Sequence, residues 1–293
     1  MPGLIKLRVK SQLVTDQIKH VADKIIKRHT AIFYFEDQSI GSGTFVNAWG
    51  SKGILTANHV AERLFGSSEG LFGPSKSLLI VAEHPDKGVP LSSELAEHVP
   101  VGRTGQNSPP EKGPDLSFLI IRDQHLLEKI QTVEKAFFDL DVAPPPLHPI
   151  LNTKVWWGIT GTFDDSFGRV DANHNGVPLS KLANFVGAGN FSCDYNSTQE
   201  EDFDYIKIKV PAGHFEFPHN YNGISGGGFW LMPMEVDPNE YPHSVRHRPP
   251  ILTGVEFAQF EPDRGERVLI GHGPNSIYIR LKHALKQHVA LRA

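Results

Sequence analysis

Three short segments of the sequence carry side chains that together could perform nucleophilic catalysis. His59 ends the segment Ile-Leu-Thr-Ala-Asn-His, Asp115 stands directly before the apolar run Leu-Ser-Phe-Leu-Ile-Ile, and Ser225 lies within Asn-Gly-Ile-Ser-Gly-Gly-Gly. A serine hydroxyl is a weak nucleophile at neutral pH and needs a neighbouring base to take its proton. An imidazole can be that base, and a carboxylate can fix its tautomer. The pattern predicts Ser225 as nucleophile, His59 as general base and Asp115 as the orienting acid.

Short strands are expected to position these residues. Apolar and β-branched runs of four to eight residues, bounded by turn residues, favour strands over helices. Such runs occupy residues 31–35, 41–46, 53–55, 78–82, 116–121, 154–159, 185–191, 205–210, 228–232, 251–257 and 267–270. His59 then follows a strand, within a helical turn over 57–64, and Asp115 opens a buried strand. The polar stretch 85–114 is expected to be a surface excursion.

Amphipathic helices are predicted at both ends of the chain. Apolar residues recur at roughly the helical period between residues 12 and 28. Near the C-terminus, Ile277, Leu281, Leu285 and Val289 follow one another at four-residue steps. The N-terminal helix is expected to pack against the rest of its own chain, with docking of a protein regulator as the alternative.

The three segments resemble the motifs of the trypsin-like, chymotrypsin-fold serine peptidases. In that family Thr-Ala-x-His supplies the base, an Asp before small and apolar residues supplies the acid, and Gly-x-Ser-Gly-Gly supplies the nucleophile. The order His59, Asp115, Ser225 is also the order of the family. The resemblance implies an all-β fold of two antiparallel six-stranded β-barrels, with the site in the cleft between them.

The resemblance also sets expected domain boundaries. The Pro-rich stretch near residue 145 is a suitable connector, because proline is excluded from the interior of a sheet. The expected units are an N-terminal helical extension (1–29), a first barrel carrying His59 and Asp115 (30–143), a linker (144–150), a second barrel carrying Ser225 (151–275) and a C-terminal helix (276–293).

The glycines around Ser225 have a separate implied role. In the family, the backbone N–H groups at the positions of Gly223 and Ser225 stabilise the oxyanion of the tetrahedral intermediate, and the loss of one such donor lowers the rate on the order of 10²-fold or more. Animal digestive members carry an Asp where this chain has Ile224, so activation by a freed N-terminus is not expected. Gly228, followed by Phe229, resembles intracellular bacterial members.

A substrate pocket is also implied by position. Its expected residues are His219, Asn222, Glu256, Phe257 and Gln259. His219 stands where trypsin has an Asp at the base of the pocket, so a preference for Lys or Arg is not expected. Glu256 either adds acidity to the pocket or faces away from it.

The function expected from these residues is that of a serine endopeptidase. It would hydrolyse peptide bonds of a protein or peptide substrate through an acyl-enzyme on Ser225, without a cofactor or metal. One alternative is a catalytically silent or partner-activated trypsin-like module that acts by binding. A second is an esterase of the α/β-hydrolase fold, whose Gly-x-Ser-x-Gly pattern is also present. That fold needs its acid and histidine after the serine, following a parallel α/β pattern that the sequence lacks.

Two further motifs are weaker candidates for metal sites. Residues 171–176 match the first half of a calcium loop, but its twelfth position is Leu182, where a bidentate Glu is needed, so a hairpin turn is favoured. His243 and His247 are four apart without the Glu of a zinc-protease helix. No metal site is predicted from either motif.

Composition restricts the partners and the compartment. A formal net charge of −4 gives no electrostatic reason to expect binding to nucleic acid or to an anionic membrane. The single cysteine, Cys193, cannot form an internal disulfide, which favours a reducing compartment. Neither a signal-peptide pattern nor an apolar run of membrane-spanning length is found. A cytoplasmic location is therefore expected.

Overall fold

Antiparallel strands form most of the described chain. The structure, a computed structural model, describes residues 20–21, 24–35, 38–65, 78–81, 89–91, 94–102, 114–142, 144, 146, 155–162, 185–189, 192–200, 203–212, 221–236, 245–261 and 265–292. Its strands pair into two sheets, one from the first half of the chain and one from the second. The expected all-β class is confirmed.

The first sheet contains the strands that flank His59 and Asp115. They are β1 Thr30–Phe35, β2 Gln38–Ala48, β3 Ser51–Thr56, β4 Leu78–Val81, β5 Val89–Leu91, β6 Ala96–Gly102, β7 Leu116–Ile121 and β8 Phe138–Asp139. Their order is β5-β4-β1-β2-β3-β7-β6, and the short β8 pairs in parallel with β2. Because β3 and β7 are neighbours, the ends that carry the base and the acid lie side by side.

The second sheet contains the strands that flank Ser225. They are β9 Val155–Gly161, β10 Phe185–Gly189, β11 Ser192–Glu200, β12 Phe203–Pro211, β13 Gly228–Val236, β14 Val245–His247, β15 Ile251–Phe260 and β16 Glu266–His272. Their order is β10-β9-β13-β15-β16-β12-β11, with β14 added to β13. Among the described residues each sheet thus has eight strands in an open order, whereas the sequence predicted six, and closure of either sheet into a barrel stays a prediction.

Helices cover short parts of the described chain. They are α1 Asn58–Phe65, α2 Gln124–Thr132 and α3 Leu281–Ala290, with a 3-10 turn over Ile26–His29 and a π-helical turn over Asn275–Arg280 that leads into α3. The predicted C-terminal helix is confirmed. Most of the predicted N-terminal helix lies outside the described residues, as does the expected calcium-like turn at 171–182. The domain boundaries stay predictions.

The expectation of a surface excursion over 85–114 is wrong in part. This stretch contributes β5 and β6, with Leu91 and Val99 buried in the core. Pro100 is tolerated because β6 is the outermost strand of its sheet, where a missing N–H leaves no ladder hydrogen bond unmade.

The core joins the two sheets to the C-terminal helix. One apolar cluster contains Phe118 of β7, Trp230 of β13 and Leu285 of α3, all buried. Such shared burial fixes the sheets against each other and so fixes the relative position of the two halves of the site.

Candidate active site

His59 lies in the first turn of α1 and is held there by the carboxylate of Asp115. The backbone N–H of His59 donates to Asp115 Oδ1 at 2.8 Å, and His59 Nδ1 lies 2.5 Å from Asp115 Oδ2. An ionised carboxylate can only accept, so Nδ1 carries the ring proton and Nε2 of the neutral ring is left as the acceptor. The His59 side chain is 52% exposed and that of Asp115 only 5%. The candidate base, His59, is therefore accessible to solvent, whereas the carboxylate that orients it is buried.

Asp115 is itself positioned from the second sheet. Its backbone N–H donates to Nε2 of His272, the last residue of β16, at 2.9 Å. Burial lowers the pKa of His272 to about 4, although Asp115 and Asp204 act in the opposite direction. The ring is consequently neutral, with its proton on Nδ1, and its centroid lies 4.6 Å from that of Phe257, with the two ring planes tilted by 31°. The sequence did not single out this histidine.

A second set of hydrogen bonds lies next to the His59–Asp115 pair. Ser117 Oγ donates to Asn58 Oδ1 at 2.6 Å and lies 2.9 Å from His98 Nε2. Asn58 precedes His59, and Ser117 of β7 is two residues after Asp115, which directly precedes that strand. The start of α1 is therefore fixed to β7 at two adjacent positions.

Ser225 lies in the loop before β13, near glycines whose backbone conformation or close contacts disfavour a larger residue. Gly223 and Gly226 have φ of +91° and +93°, a region that glycine adopts readily and other residues resist. A Cβ on Gly226 would lie 1.9 Å from the carbonyl oxygen of Ser42, and one on Gly227 would lie 1.8 Å from that of Thr160. The Gly-Gly pair thus permits the loop to lie directly against the neighbouring backbones.

Ser42 of β2 connects this loop to the first sheet. Its backbone N–H donates to the carbonyl of Ser225 at 2.8 Å, and its hydroxyl donates to the carbonyl of Gly223 at 2.8 Å. The same hydroxyl accepts from the Thr162 N–H at 3.0 Å. The carbonyl of Ser42 accepts from Thr56, three residues before His59, at 2.7 Å. One fully buried serine therefore links the nucleophile loop to the strand that leads to the base.

The loop leaves two backbone donors unused. Ile224 donates its N–H to Tyr221, and Gly226 donates to Glu256. Within the part of the chain that the structure describes, the N–H groups of Gly223 and Ser225 have no acceptor. They are the two groups that the sequence predicted as oxyanion donors. That role is not tested by the structure and stays a prediction.

Ile224 anchors the loop by apolar burial. Its side chain is fully buried in a cluster with Ile159 and Phe229 of the second sheet. A charged residue at this position would have to be compensated, whereas an isoleucine is stabilised by the contacts that surround it. Apolar packing therefore accommodates Ile224 at the position where the digestive peptidases have an Asp.

Ser225 lies near the side chain of Glu256 of β15 and acts to lower the pKa of its carboxyl group. None of the hydrogen bonds among the described residues joins Ser225 to His59. Glu256 is 1% exposed, and its Oε2 has no partner. Burial raises the pKa of this carboxyl group well above its usual value, and the charge of Asp115 acts in the same direction.

The predicted pocket residues are distributed over three environments. Gln259 donates to Asn222 Oδ1 at 2.7 Å and accepts from the Tyr221 N–H at 3.0 Å, so these two side chains brace the start of the loop. Glu256 and Phe257 are buried beneath the site and do not face solvent. His219 lies outside the described residues.

The described residues contain neither a metal-binding cluster nor a membrane-spanning helix. They contain no group of three or more His, Cys, Asp or Glu side chains that could hold a metal ion. No helix among them is long and apolar enough to cross a membrane. Of the predicted histidine pair, His247 is described and His243 lies outside the described residues.

Comparisons with known proteins give distant structural similarities alone. No family model matches the chain, and no curated protein matches its sequence. A solved structure from work on the coupled folding and binding of the intrinsically disordered Sesbania mosaic virus VPg protein is 14% identical, with a TM-score of 0.43, covering 87% of this chain and 90% of that chain. A thermostable serine protease, AL20, from an extremophilic microorganism is 12% identical, with a TM-score of 0.46, covering 90% of this chain and 98% of that chain. At such TM-scores neither similarity bears on the activity of this chain.

Proposed function

We propose that this chain is a serine endopeptidase that hydrolyses peptide bonds through an acyl-enzyme on Ser225. The observation that carries the proposal is the hydrogen-bonded pair of His59 and Asp115, with its exposed imidazole, beside a loop that presents Ser225. The unused N–H groups of Gly223 and Ser225 support it further, because they are donors available to a developing oxyanion.

The chemistry follows from the hydrogen bonds of His59. Since Nδ1 carries the proton that Asp115 accepts, Nε2 is free to take the proton of Ser225 as Oγ attacks the carbonyl carbon. The carbonyl oxygen becomes an oxyanion, to which Gly223 and Ser225 would donate. Protonated His59 then gives its proton to the departing amine, and the C–N bond breaks. Water repeats the sequence with His59 as base and releases the acid from Ser225.

A serine-reactive fluorophosphonate probe tests this proposal. Wild-type protein should be labelled covalently, and Ser225→Ala should not be labelled. Asp115→Asn should react on the order of 10³- to 10⁴-fold more slowly, because an amide no longer fixes the productive tautomer of His59. Ser51→Ala, at the partly exposed start of β3, is the matched serine control and should react like wild type. Labelling that persists in Ser225→Ala would contradict the assignment of the nucleophile.

A catalytically silent or partner-activated binding module is the second candidate. None of the hydrogen bonds among the described residues joins Ser225 to His59, whose Nδ1 contacts Asp115, and this favours the second candidate. Absence of labelling in every variant, with the protein folded, would support this candidate over the peptidase.

The proposal includes finer features of the molecule. They are closure of each sheet into a barrel, kinship with the intracellular bacterial trypsin-like peptidases, a cytoplasmic location and a protein or peptide substrate. A proteome-wide cleavage profile with purified protein would identify the residue preferred before the scissile bond, and a blank profile would count against an endopeptidase.

A further inference from the structure

The side chain of His272 is buried at the end of β16 and accepts one hydrogen bond from the candidate site. The residue is fully buried, and the backbone N–H of Asp115 donates to its Nε2 at 2.9 Å. The other ring nitrogen, Nδ1, is buried and has no partner within the part of the chain that the structure describes. A buried polar atom without a partner destabilises a fold, so packing alone would be served at least as well by a phenylalanine.

The ring of His272 is held firmly by its surroundings. Its centroid lies 5.4 Å from those of Phe203 and Tyr205 and 4.6 Å from that of Phe257. The backbone of His272 is paired with β12 on one side and with β15 on the other. Nε2 is therefore an acceptor whose position is fixed by the second sheet.

The direction of the hydrogen bond fixes the protonation state of the ring. A backbone N–H can only donate, so Nε2 is unprotonated and the neutral ring carries its proton on Nδ1. A protonated imidazole has an N–H at both nitrogens and could not accept from Asp115. Burial lowers the pKa of His272 to about 4, which keeps the ring in its accepting form at neutral pH.

Asp115 depends on this acceptor because it lies just outside a strand. The pairing of β7 with its neighbours begins at Leu116, and Asp115 is buried directly before it. The carboxylate of Asp115 accepts from both the backbone and the ring of His59. A displacement of the Asp115 backbone would therefore move the candidate base, and a misplacement of about 1 Å can lower a rate on the order of 10²-fold.

We propose that His272 is a positioning residue that holds the backbone of Asp115 in place and so orients His59 for proton transfer. The inference rests on the proposed function. His272 acts through Asp115 and takes no part in bond making or breaking at the substrate.

The rate of inactivation by the fluorophosphonate probe tests this role. His272→Phe keeps a ring among the aromatic side chains but leaves the N–H of Asp115 without its acceptor. Its maximal rate of inactivation should fall by about 10- to 100-fold, because His59 is less well oriented. The probe concentration for half-maximal rate should stay unchanged, since binding of the probe does not involve His272. If His272→Phe fails to fold, His272→Leu takes its place with the same expected rate.

Two further variants separate positioning from packing. In His272→Gln, Oε1 is the same number of bonds from Cα as Nε2 of the histidine, so the acceptor is restored and the rate should lie within about threefold of wild type. His29→Phe is the matched control, because burial also lowers the pKa of His29 to about 4 and its ring is hydrogen-bonded to Ala136, outside the candidate site. This variant should lose stability and react within about twofold of wild type.

Nuclear magnetic resonance of the full chain, labelled with ¹⁵N, tests the inference without reference to activity. The His272 signals, assigned by their absence from a folded His272 variant, should show a neutral ring protonated at Nδ1 from pH 7 to pH 5. A ring protonated at Nε2 would overturn the positioning role, because such a nitrogen cannot accept from Asp115.

The kinetic outcomes distinguish the positioning role from the peptidase. A slow His272→Phe, with His272→Gln and His29→Phe near wild type, supports the role of His272. A wild-type rate in His272→Phe, an equal fall in His29→Phe or no recovery in His272→Gln overturns that role and leaves the proposed function standing. Absence of labelling in the folded wild type overturns both.

Discussion

Ser42 shows how a single residue can hold two distant segments of the site. Its backbone and hydroxyl contact the loop at Ser225 and Gly223, and its carbonyl contacts Thr56 in the strand before His59. The hydroxyl donates to Gly223 and accepts from Thr162, so it joins two segments of the chain at once. The position of the Gly223 peptide, and hence of its N–H, depends on this contact.

Ser42→Ala should weaken both the fold and the site. The carbonyl of Gly223 and the N–H of Thr162 would lose their partner in a buried environment, which costs about 1–3 kcal/mol. Urea unfolding would measure this loss. The rate of fluorophosphonate labelling should fall together with stability, because the Gly223 peptide loses its hydrogen bond to the Ser42 hydroxyl. A variant as stable and as reactive as wild type would refute the role of Ser42.

The sequence predicted which residues would form the candidate site, but it did not predict the residues that position them. His59, Asp115 and Ser225 lie in local motifs, and the structure brings the first two into direct contact. Ser42 and Gly223 are 181 residues apart, and Asp115 and His272 are 157 apart. No local pattern encodes such pairs, because they form only when the two sheets pack together.

The C-terminal helix shows what a periodic pattern can and cannot predict. The four-residue step correctly predicts a helix with Ile277, Leu281 and Leu285 buried, but Val289 is 62% exposed. Each four-residue step advances about 40° around a helix with 3.6 residues per turn, so the last position has rotated away from the core. Edge strand β6 and helix α2 were not predicted, because their short apolar patterns are interrupted by polar residues.

Leu285 and Val289 therefore form a matched pair in one helix. Leu285→Ala should destabilise the protein by about 2–4 kcal/mol, because it opens a cavity in the cluster shared by both sheets. Val289→Ala should change stability by less than about 0.5 kcal/mol, since its side chain already faces solvent. Chemical unfolding of both variants at one pH measures the difference. Similar losses in the two variants would place the helix in a different orientation.

Both sheets contribute residues to the site, and the contact between the sheets buries several ionisable groups whose pKa values shift as a result. His29 is stacked at 5.5 Å on Trp230, and His272 lies beneath Asp115. Burial lowers the pKa of each to about 4. Glu256 is affected in the opposite direction, because burial raises its pKa. These three groups couple folding to pH at the contacts where the two sheets meet.

Stability should fall on acidification, because unfolding takes up protons at His29 and His272. The unfolded chain protonates His29 and His272 below about pH 6.5, whereas the native state keeps both neutral down to about pH 4. Unfolding therefore takes up protons at both histidines in this window, while the raised pKa of Glu256 acts in the opposite direction. Each histidine should lower the free energy of unfolding by about 1.5 kcal/mol between pH 6.5 and pH 5.

A variant without one of these histidines isolates the effect. His29→Phe keeps an aromatic ring against Trp230 but loses the hydrogen bond between Nδ1 and the carbonyl of Ala136, so it should be less stable at neutral pH. Its stability should nevertheless vary less with pH, because one histidine fewer takes up a proton on unfolding. Urea unfolding at pH 7, 6 and 5 in both proteins measures the two slopes. A slope that His29→Phe leaves unchanged would show that His29 is not buried as a neutral ring in the native state.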